Sequence, residues 1–238
     1  MRFAILMLLL ALVLPAVLLA APRDDDDGGA PPAARTTPAP WDDAIDGPGT
    51  APLPRPRDDD DVAAQPPARA AGAPWRGRLI HGRALPASGS GYLTWDPIRK
   101  RVPNRAWRRW GTGRLIGTVR RVLAAYAGRH PHAPPVLVGD LSRPRGGDFG
   151  RRYGGIGHAS HQNGRDVDVY YPRLDGRLRA ARRPDQVDRA AAQELVDAFV
   201  RAGAQLVFVG PSLDLHGPPK VVQPLVHHDN HLHVRLPR

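Results

Sequence analysis

The sequence contains no cysteine, and this absence excludes several kinds of site at once. A disulfide framework, a thiolate zinc site, a cysteine nucleophile and a lipid-modified cysteine all need that residue. Lysine and glutamate are almost as scarce, since the 238 residues contain only Lys100, Lys220 and Glu194. Arginine and aspartate therefore carry the charge, and a metal ion would have to be bound by histidine and carboxylate side chains.

The charge is distributed unevenly along the chain. Residues 22–74 contain 5 Arg and 11 Asp, a net charge of −6, whereas residues 75–238 carry a net charge of +16. The acidic segment is rich in Pro and Ala and has almost no apolar periodicity, so we predict a disordered linker. Its runs Asp24–Asp27 and Asp58–Asp61 lack the interleaved glycine of a calcium loop. Such blocks of like charge favour an extended, solvated chain.

The first 21 residues have the pattern of an export signal. Arg2 precedes an apolar run from Phe3 to Ala21 that only Pro15 interrupts, as in a secretory signal peptide. The 19 residues of this run are also long enough to cross a bilayer. We therefore expect an exported protein of the periplasm, cell wall or extracellular space. It is either released by cleavage or tethered to the membrane through residues 3–21.

Residues 75–238 show the periodicities of an α+β domain. Apolar spacing predicts one helix from a cap at Thr112 to a stop near Gly128 and Pro131, and a second helix over Asp188–Ala202. Short strands are predicted at Arg78–His81, Tyr92–Trp95, Pro135–Gly139, Leu206–Val209 and His231–Leu236. The expected fold is a small mixed domain with a mainly antiparallel sheet flanked by helices, and the sheet carries a zinc site.

The zinc site is expected because six of the ten histidines lie in two short windows, residues 157–169 and 227–234. If Asp166–Tyr170 is a strand, its two aspartates share one face, as do the two histidines of the His-x-His pair 231–233. Neighbouring strands could thus direct these groups to one point, with His161 joining from the preceding segment. Three protein ligands with an open fourth position is the arrangement of a catalytic zinc ion. Spacing leaves open which aspartate and which histidine of each pair is the ligand.

Three segments resemble the penicillin-insensitive murein endopeptidases. Gly139–Gly147 reads GDLSRPRGG, Gly157–Val169 reads GHASHQNGRDVDV, and His228–Leu236 reads HDNHLHVRL. Their order and spacing are similar to that family, which shares the zinc peptidase fold of lysostaphin, D-alanyl-D-alanine carboxypeptidase and hedgehog proteins. The resemblance covers most of residues 75–238. It implies a zinc-dependent enzyme that hydrolyses D-alanyl–diamino-acid cross-links of peptidoglycan.

The same resemblance assigns roles to the clustered residues. It implies zinc ligation by His161, Asp168 and His233, and catalytic roles for His231 and His228. Some members of the family bind a second metal through an Asp and a His between the two motifs. Here the interval Arg173–Val187 contains aspartates but no histidine, so we expect one zinc ion.

Four further residues are expected around that centre. Asp166 would orient His161 or remain a solvated carboxylate at the strand edge, and His158 would support the site. Asp140 and Ser142 would either line the substrate cleft or hold the loop that follows their strand.

Other functions have less support. A D-Ala-D-Ala carboxypeptidase or dipeptidase would share the zinc chemistry, and a wall-binding domain without activity would share the fold. Nucleic-acid binding is suggested only by the net charge. The arginines are scattered, no known nucleic-acid module occurs, and an export signal directs the chain away from nucleic acid. Peptidoglycan is therefore the expected partner, while the oligomeric state stays open.

Overall fold

A computed structural model describes residues 66–150 and 158–238. The predicted signal or anchor, most of the predicted linker and residues 151–157 lie outside the described residues. Within the described ranges no helix is both long and apolar enough to span a membrane.

The described residues form eleven strands and two α-helices, which we number in chain order. The strands are β1 (Arg69–Ala73), β2 (Arg76–Ile80), β3 (Arg83–Ala84), β4 (Ser88–Gly89), β5 (Tyr92–Thr94), β6 (Trp110–Gly111), β7 (Val136–Val138), β8 (Asp166–Tyr170), β9 (Leu206–Val209), β10 (Val222–Pro224) and β11 (His231–Arg235). The helices are α1 (Gly113–Arg129) and α2 (Arg189–Arg201). Short 3-10 turns lie at Ala106–Arg108 and Pro184–Gln186.

Seven strands form one sheet in the order β10-β9-β11-β8-β7-β5-β4. The pairings at its centre, β9 with β11, β11 with β8 and β8 with β7, are antiparallel. Parallel pairing occurs between β9 and β10 and between β5 and β7. The predicted α+β class is confirmed, with a mixed sheet whose central strands are antiparallel.

The two helices begin at side-chain caps, Thr112 as predicted and Asp188 one residue before the start of α2. Thr112 Oγ1 accepts a hydrogen bond from the Leu115 amide at 3.2 Å, and Asp188 Oδ1 accepts one from the Ala191 amide at 3.0 Å. Such caps satisfy amide groups that the first helical turn leaves without partners. α1 ends at Arg129, between the predicted stop residues Gly128 and Pro131.

Alternation along the strands divides the sheet into two different faces. One face packs against both helices in the main core, which contains the strand residues Val136, Val138, Val167, Val169, Val207, Val209, Leu232 and Val234. The other face carries the intervening residues, among them the polar members of β8 and β11. On that second face Leu137 and Tyr170 form a small separate cluster with Trp95.

The ordered domain begins earlier than the sequence predicted. β1 lies inside the range 22–74 assigned to the linker, yet it pairs antiparallel with β2 over five residue pairs from Arg69↔Ile80 to Ala73↔Arg76. The hairpin is also bonded to the rest of the domain, because Asn163 Nδ2 donates to Gly72 O at 3.2 Å and the Gln162 amide donates to Pro74 O at 2.9 Å. The alanine-rich sequence of β1 has no alternating apolar pattern, so its strand character comes from these pairings.

A fully buried ion pair holds the chain that follows β7. Arg108 and Asp140 are both buried, and their side chains form two contacts, Nε to Oδ1 at 2.6 Å and a shorter one from Nη2 to Oδ2. Asn104 Nδ2 donates to the same carboxylate at 2.9 Å. Because removing one partner of a buried pair leaves an uncompensated charge, this contact is expected to dominate local stability.

We therefore expect Asp140→Ala to lower the free energy of unfolding by about 3–5 kcal/mol, since Arg108 would remain buried without its counter-ion. Urea denaturation followed by circular dichroism measures the change. Asp185→Ala is the control, because Asp185 pairs with Arg183 on the surface and exposed pairs contribute little. Similar losses in the two variants would contradict the importance of burial.

Candidate functional site

His161, Asp168 and His233 meet on the polar face of the sheet. His161 Nε2 lies 3.2 Å from His233 Nδ1 and 3.2 Å from Asp168 Oδ1, and His233 Nδ1 lies 3.2 Å from the same carboxylate oxygen. All three side chains are buried. The structure thus brings together three residues that the resemblance named as ligands.

The register of β8 and β11 creates this arrangement. His233 lies directly opposite Asp168 in the antiparallel ladder, and Leu232 lies opposite Val169. Side chains alternate between faces along a strand, so burying the aliphatic residues turns the imidazole and the carboxylate to the same side. His161 comes from the loop before β8, where its backbone adopts a left-handed conformation with φ of 68°. This conformation is uncommon for residues other than glycine.

Hydrogen bonds on the far side of each ring fix which nitrogen faces the cluster. His161 Nδ1 donates to Leu141 O at 2.7 Å, and His233 Nε2 contacts Asp166 Oδ1 at 2.9 Å. A carbonyl and a carboxylate can only accept, so these ring nitrogens carry the protons. In the neutral rings, the nitrogens that face Asp168 therefore present lone pairs.

Three lone pairs that converge in this way fit a metal ion. Zinc ligands lie about 2.0–2.2 Å from the ion, so two ligands of a tetrahedral ion are roughly 3.3–3.6 Å apart. The three separations of 3.2 Å are close to that range. Without a cation between them, three acceptor atoms at this distance would repel one another. A nitrogen, nitrogen and oxygen donor set is also one that zinc accepts.

Asp166 acts on a different histidine from the one expected. Its carboxylate contacts His233, whereas the distal nitrogen of His161 is bonded to a backbone carbonyl. Arg235 Nε donates to the same Asp166 oxygen at 2.6 Å. Asp166 is fully buried, so the alternative of a solvated carboxylate at the strand edge is wrong.

Charges in this cluster shift the pKa of each member. Burial opposes ionisation of Asp166, yet His233 and Arg235 lower the pKa of its carboxyl to about 2. Burial also opposes a charged His233, but hydrogen bonds to Asp166 and Asp168 raise its pKa to about 9. A proton on His233 thus compensates the two carboxylates when no metal ion does so. Metal binding at such a site releases that proton.

His158 lies beside the three residues and is held by Asp140. Its Nε2 contacts Asp140 Oδ2 at 2.8 Å, and its Nδ1 lies 3.8 Å from Asp168 Oδ2. The ligand atoms of His158, His161 and Asp168 lie within 4.8 Å of one another, so this group could also hold a metal ion. His233 lies closer to Asp168 than His158 does, because its Nδ1 is 3.2 Å from the carboxylate and the His158 Nδ1 is 3.8 Å away.

The two aspartates considered for a second metal lie elsewhere. Asp175 accepts two hydrogen bonds from Arg173, at 2.7 and 2.6 Å, and Asp185 accepts two from Arg183, at 3.1 and 3.0 Å. Neither is among the described residues that line the cavity over the site.

His231 and His228 stand next to the cluster and line the same cavity. His231 Nδ1 contacts Asn230 Oδ1 at 2.6 Å, so its Nε2, which lies 3.8 Å from Asp168 Oδ1, presents a lone pair. The His228 ring lies 4.8 Å from that of His231, and its Nδ1 contacts Val226 O at 2.9 Å. Burial lowers the pKa of His231 to about 4, against the opposing charge of Asp168.

Asp140 and Ser142 are placed beneath the site instead of in a substrate cleft. Both are fully buried, and neither lines the cavity. Asp140 is occupied by Arg108, Asn104 and His158, and the backbone of Ser142 is paired with that of Trp110. Their burial excludes direct substrate contact in this conformation and leaves the alternative, a role in holding the loop after β7.

The cluster forms the floor of a cavity of about 830 Å³. Its walls include several residues that the sequence patterns do not single out, namely Trp95, Lys100, Tyr170, Arg179, Arg182 and Phe208. Tyr170 and Phe208 can be assigned to the cavity from the alternation of side chains along β8 and β9, once the polar face of the sheet is known. The cations carry no local signal that separates them from the other arginines of the chain.

The polar face therefore combines three potential metal donors, two adjacent histidines and an open cavity. The sequence model of the penicillin-insensitive murein endopeptidase family matches residues 70–205. This range includes His161 and Asp168 and ends before β11.

Curated relatives show the same similarity over a longer range. A penicillin-insensitive murein endopeptidase of Haemophilus influenzae is 27% identical over 186 residues, which cover 67% of this chain and 60% of the relative. Proteins of the same name from Yersinia enterocolitica and Klebsiella pneumoniae are each 26% identical over 186 residues, covering 67% of this chain and 62% and 63% of the relatives. This chain thus spans less than two thirds of the length of these relatives. It belongs to the penicillin-insensitive murein endopeptidase family.

Proposed function

We propose that this protein is a zinc-dependent murein endopeptidase that hydrolyses the amide between D-alanine and the diamino acid of a neighbouring peptidoglycan stem. The observation that carries the proposal is the triangle of donor atoms in His161, Asp168 and His233, each 3.2 Å from the others, on the floor of an open cavity. Membership of the family supports the choice of substrate.

His161, Asp168 and His233 would hold the zinc ion. The ion would supply a Lewis acid that polarises the amide carbonyl and increases the acidity of water. The chain contributes the rigidity of that site, because Leu141 O and Asp166 fix the two rings from behind. Partners of this kind fix the orientation of ligating imidazoles.

His231 is the group that we assign to proton transfer. Its Nδ1 is bonded to Asn230, and its free Nε2 faces the cavity beside Asp168. A neutral imidazole in this position can accept a proton from the attacking water and pass it to the leaving amine. His228, whose ring is 4.8 Å away and whose Nδ1 donates to Val226 O, would share this proton transfer through its Nε2.

The proposed substrate also places the protein in the cell envelope. Residues 3–21 would be removed as a signal or kept as an anchor, and the acidic segment would separate the catalytic domain from the membrane. The positive charge of residues 75–238 would increase the rate of encounter with an anionic wall.

Defined cross-linked muropeptide dimers test the activity directly. We expect the purified protein to convert a D-alanyl–diamino-acid dimer to monomers, identified by mass. A chelator should abolish the reaction and zinc should restore it. Release of a terminal D-alanine with the cross-link intact would reassign the protein as a carboxypeptidase. No product in the presence of bound zinc would favour a wall-binding role.

Two histidine variants separate metal binding from proton transfer. His233→Ala should lose both zinc and activity, because it removes a donor atom. His231→Ala should keep zinc and lose roughly 10²–10⁴-fold in kcat, the range for loss of a general acid–base. Zinc content by atomic absorption and turnover of the dimer measure the two effects. Normal turnover by His231→Ala would refute the assigned proton carrier.

Asp166→Asn tests the positioning of His233. The amide keeps the shape of the side chain but weakens its hold on His233 Nε2, so we expect zinc affinity to fall roughly 10–100-fold. Competition with a chromophoric chelator measures this affinity without reference to activity. Asp175→Asn is the control, since Asp175 is bonded to Arg173 away from the cavity. An unchanged zinc affinity in Asp166→Asn would contradict the positioning role.

A further inference from the structure

The cavity over His161, Asp168 and His233, which we call the metal cluster, has two chemically different ends. Phe208 of β9 lies opposite His233 of β11, which in turn lies opposite Asp168 of β8. Leu225 and Val226 extend the cavity lining next to β10 at the same end. This apolar end therefore lies on the β9 side of the metal cluster.

The other end lies toward β7 and β5. Trp95, which follows β5, packs edge-on against Tyr170 with ring centroids 6.4 Å apart. Lys100, Arg179 and Arg182 also line the cavity, and we call these three residues the cationic end. Asp168 is the only carboxylate among the described lining residues, and it belongs to the metal cluster.

Packing of the two intervening alanines and one backbone hydrogen bond fix the position of the two arginines of the cationic end. Between them, Ala180 packs against the cluster of Trp95, Leu137 and Tyr170, and Ala181 is buried in the main core. The Arg182 amide also donates to Gln186 Oε1 at 2.8 Å. With the alanines anchored inward, both arginine side chains are left exposed at the cavity.

Some arginines between residues 173 and 183 form ion pairs and others do not. Arg173 and Arg177 form ion pairs with Asp175, and Arg183 pairs with Asp185. The cationic end differs, because within residues 66–150 and 158–238 none of its three side chains has an acidic partner. Cations that face a cavity without local counter-ions are suited to bind an anionic part of a substrate.

We propose that the cationic end binds the carboxylate of the diamino acid on the amine side of the scissile amide. The inference rests on the proposed function. In a diaminodicarboxylic acid, the carbon attached to the scissile nitrogen also bears a carboxylate, whereas the D-alanine on the acyl side presents a methyl group. The methyl side then lies toward Phe208 and the carboxylate toward Arg179 and Arg182, so the cavity sets the direction of the substrate.

Two dimers that differ in a single group test this recognition. One has the free carboxylate on the diamino acid next to the scissile amide, and the other has a carboxamide there. We expect kcat/KM to be roughly tenfold or more higher for the carboxylate dimer, in line with a charge-assisted hydrogen bond. The difference should lie mainly in KM, because this contact is the same in the ground state and the transition state.

Matched variants locate the source of the preference. In Lys100→Gln/Arg179→Gln/Arg182→Gln the ratio between the two dimers should fall toward one. The control Arg99→Gln/Arg177→Gln/Arg183→Gln removes the same charge from exposed neighbours that do not line the cavity, and it should keep the wild-type ratio. Equal losses in the two triple variants would attribute the effect to net charge and overturn the proposal.

The outcomes distinguish this proposal from the function on which it rests. If the wild-type protein cleaves both dimers equally well, the carboxylate site is refuted and the endopeptidase activity stands. If it cleaves neither dimer, the endopeptidase function itself is refuted. If the cationic-end variant loses activity equally on both dimers, these residues do not recognise the carboxylate.

Discussion

The register between β8 and β11 is the constraint on which the site depends. Val167, Val169, Leu232 and Val234 are fully buried in the core between the sheet and the helices. A slip of one residue would move every side chain of a strand to the opposite face. The hydrophobic effect therefore disfavours a one-residue slip from the register that places His233 opposite Asp168. Core packing and the meeting of His233 with Asp168 are two consequences of the same pairing.

His161 is positioned by a different means, because it lies outside the sheet. Its left-handed backbone is followed by Gly164, whose φ is 76°, and the intervening Gln162 amide is bonded to Pro74 O at 2.9 Å. The β1–β2 hairpin thus supports the loop that carries this residue. A hairpin in a segment with the composition of a linker contributes to the geometry of the metal cluster.

The sequence predicted the parts of the fold that follow from periodicity. The bounds of β8 and the capped helices α1 and α2 could be found from alternation, helical spacing and cap residues, and the two histidine windows pointed to one face of the sheet. The partner of Asp166 could not be predicted, because Asp166 lies opposite Arg235 in the ladder and reaches His233 diagonally. The cationic end was also missed, since its unpaired charges depend on which arginines have an aspartate within reach.

One chain of paired charges ends at the metal cluster and a second ends beside it, and they explain how an arginine-rich protein without cysteine can build the site. Arg235 holds Asp166, which orients His233, and Arg108 holds Asp140, which orients His158. A buried carboxylate is costly unless it is paired and hydrogen-bonded, and each arginine supplies that compensation. The carboxylates can then stay ionised out of water and fix the imidazole rings. The scaffold therefore keeps its donor atoms close together by electrostatic pairing. The sequence contains no cysteine that could supply thiolate ligands or disulfides instead.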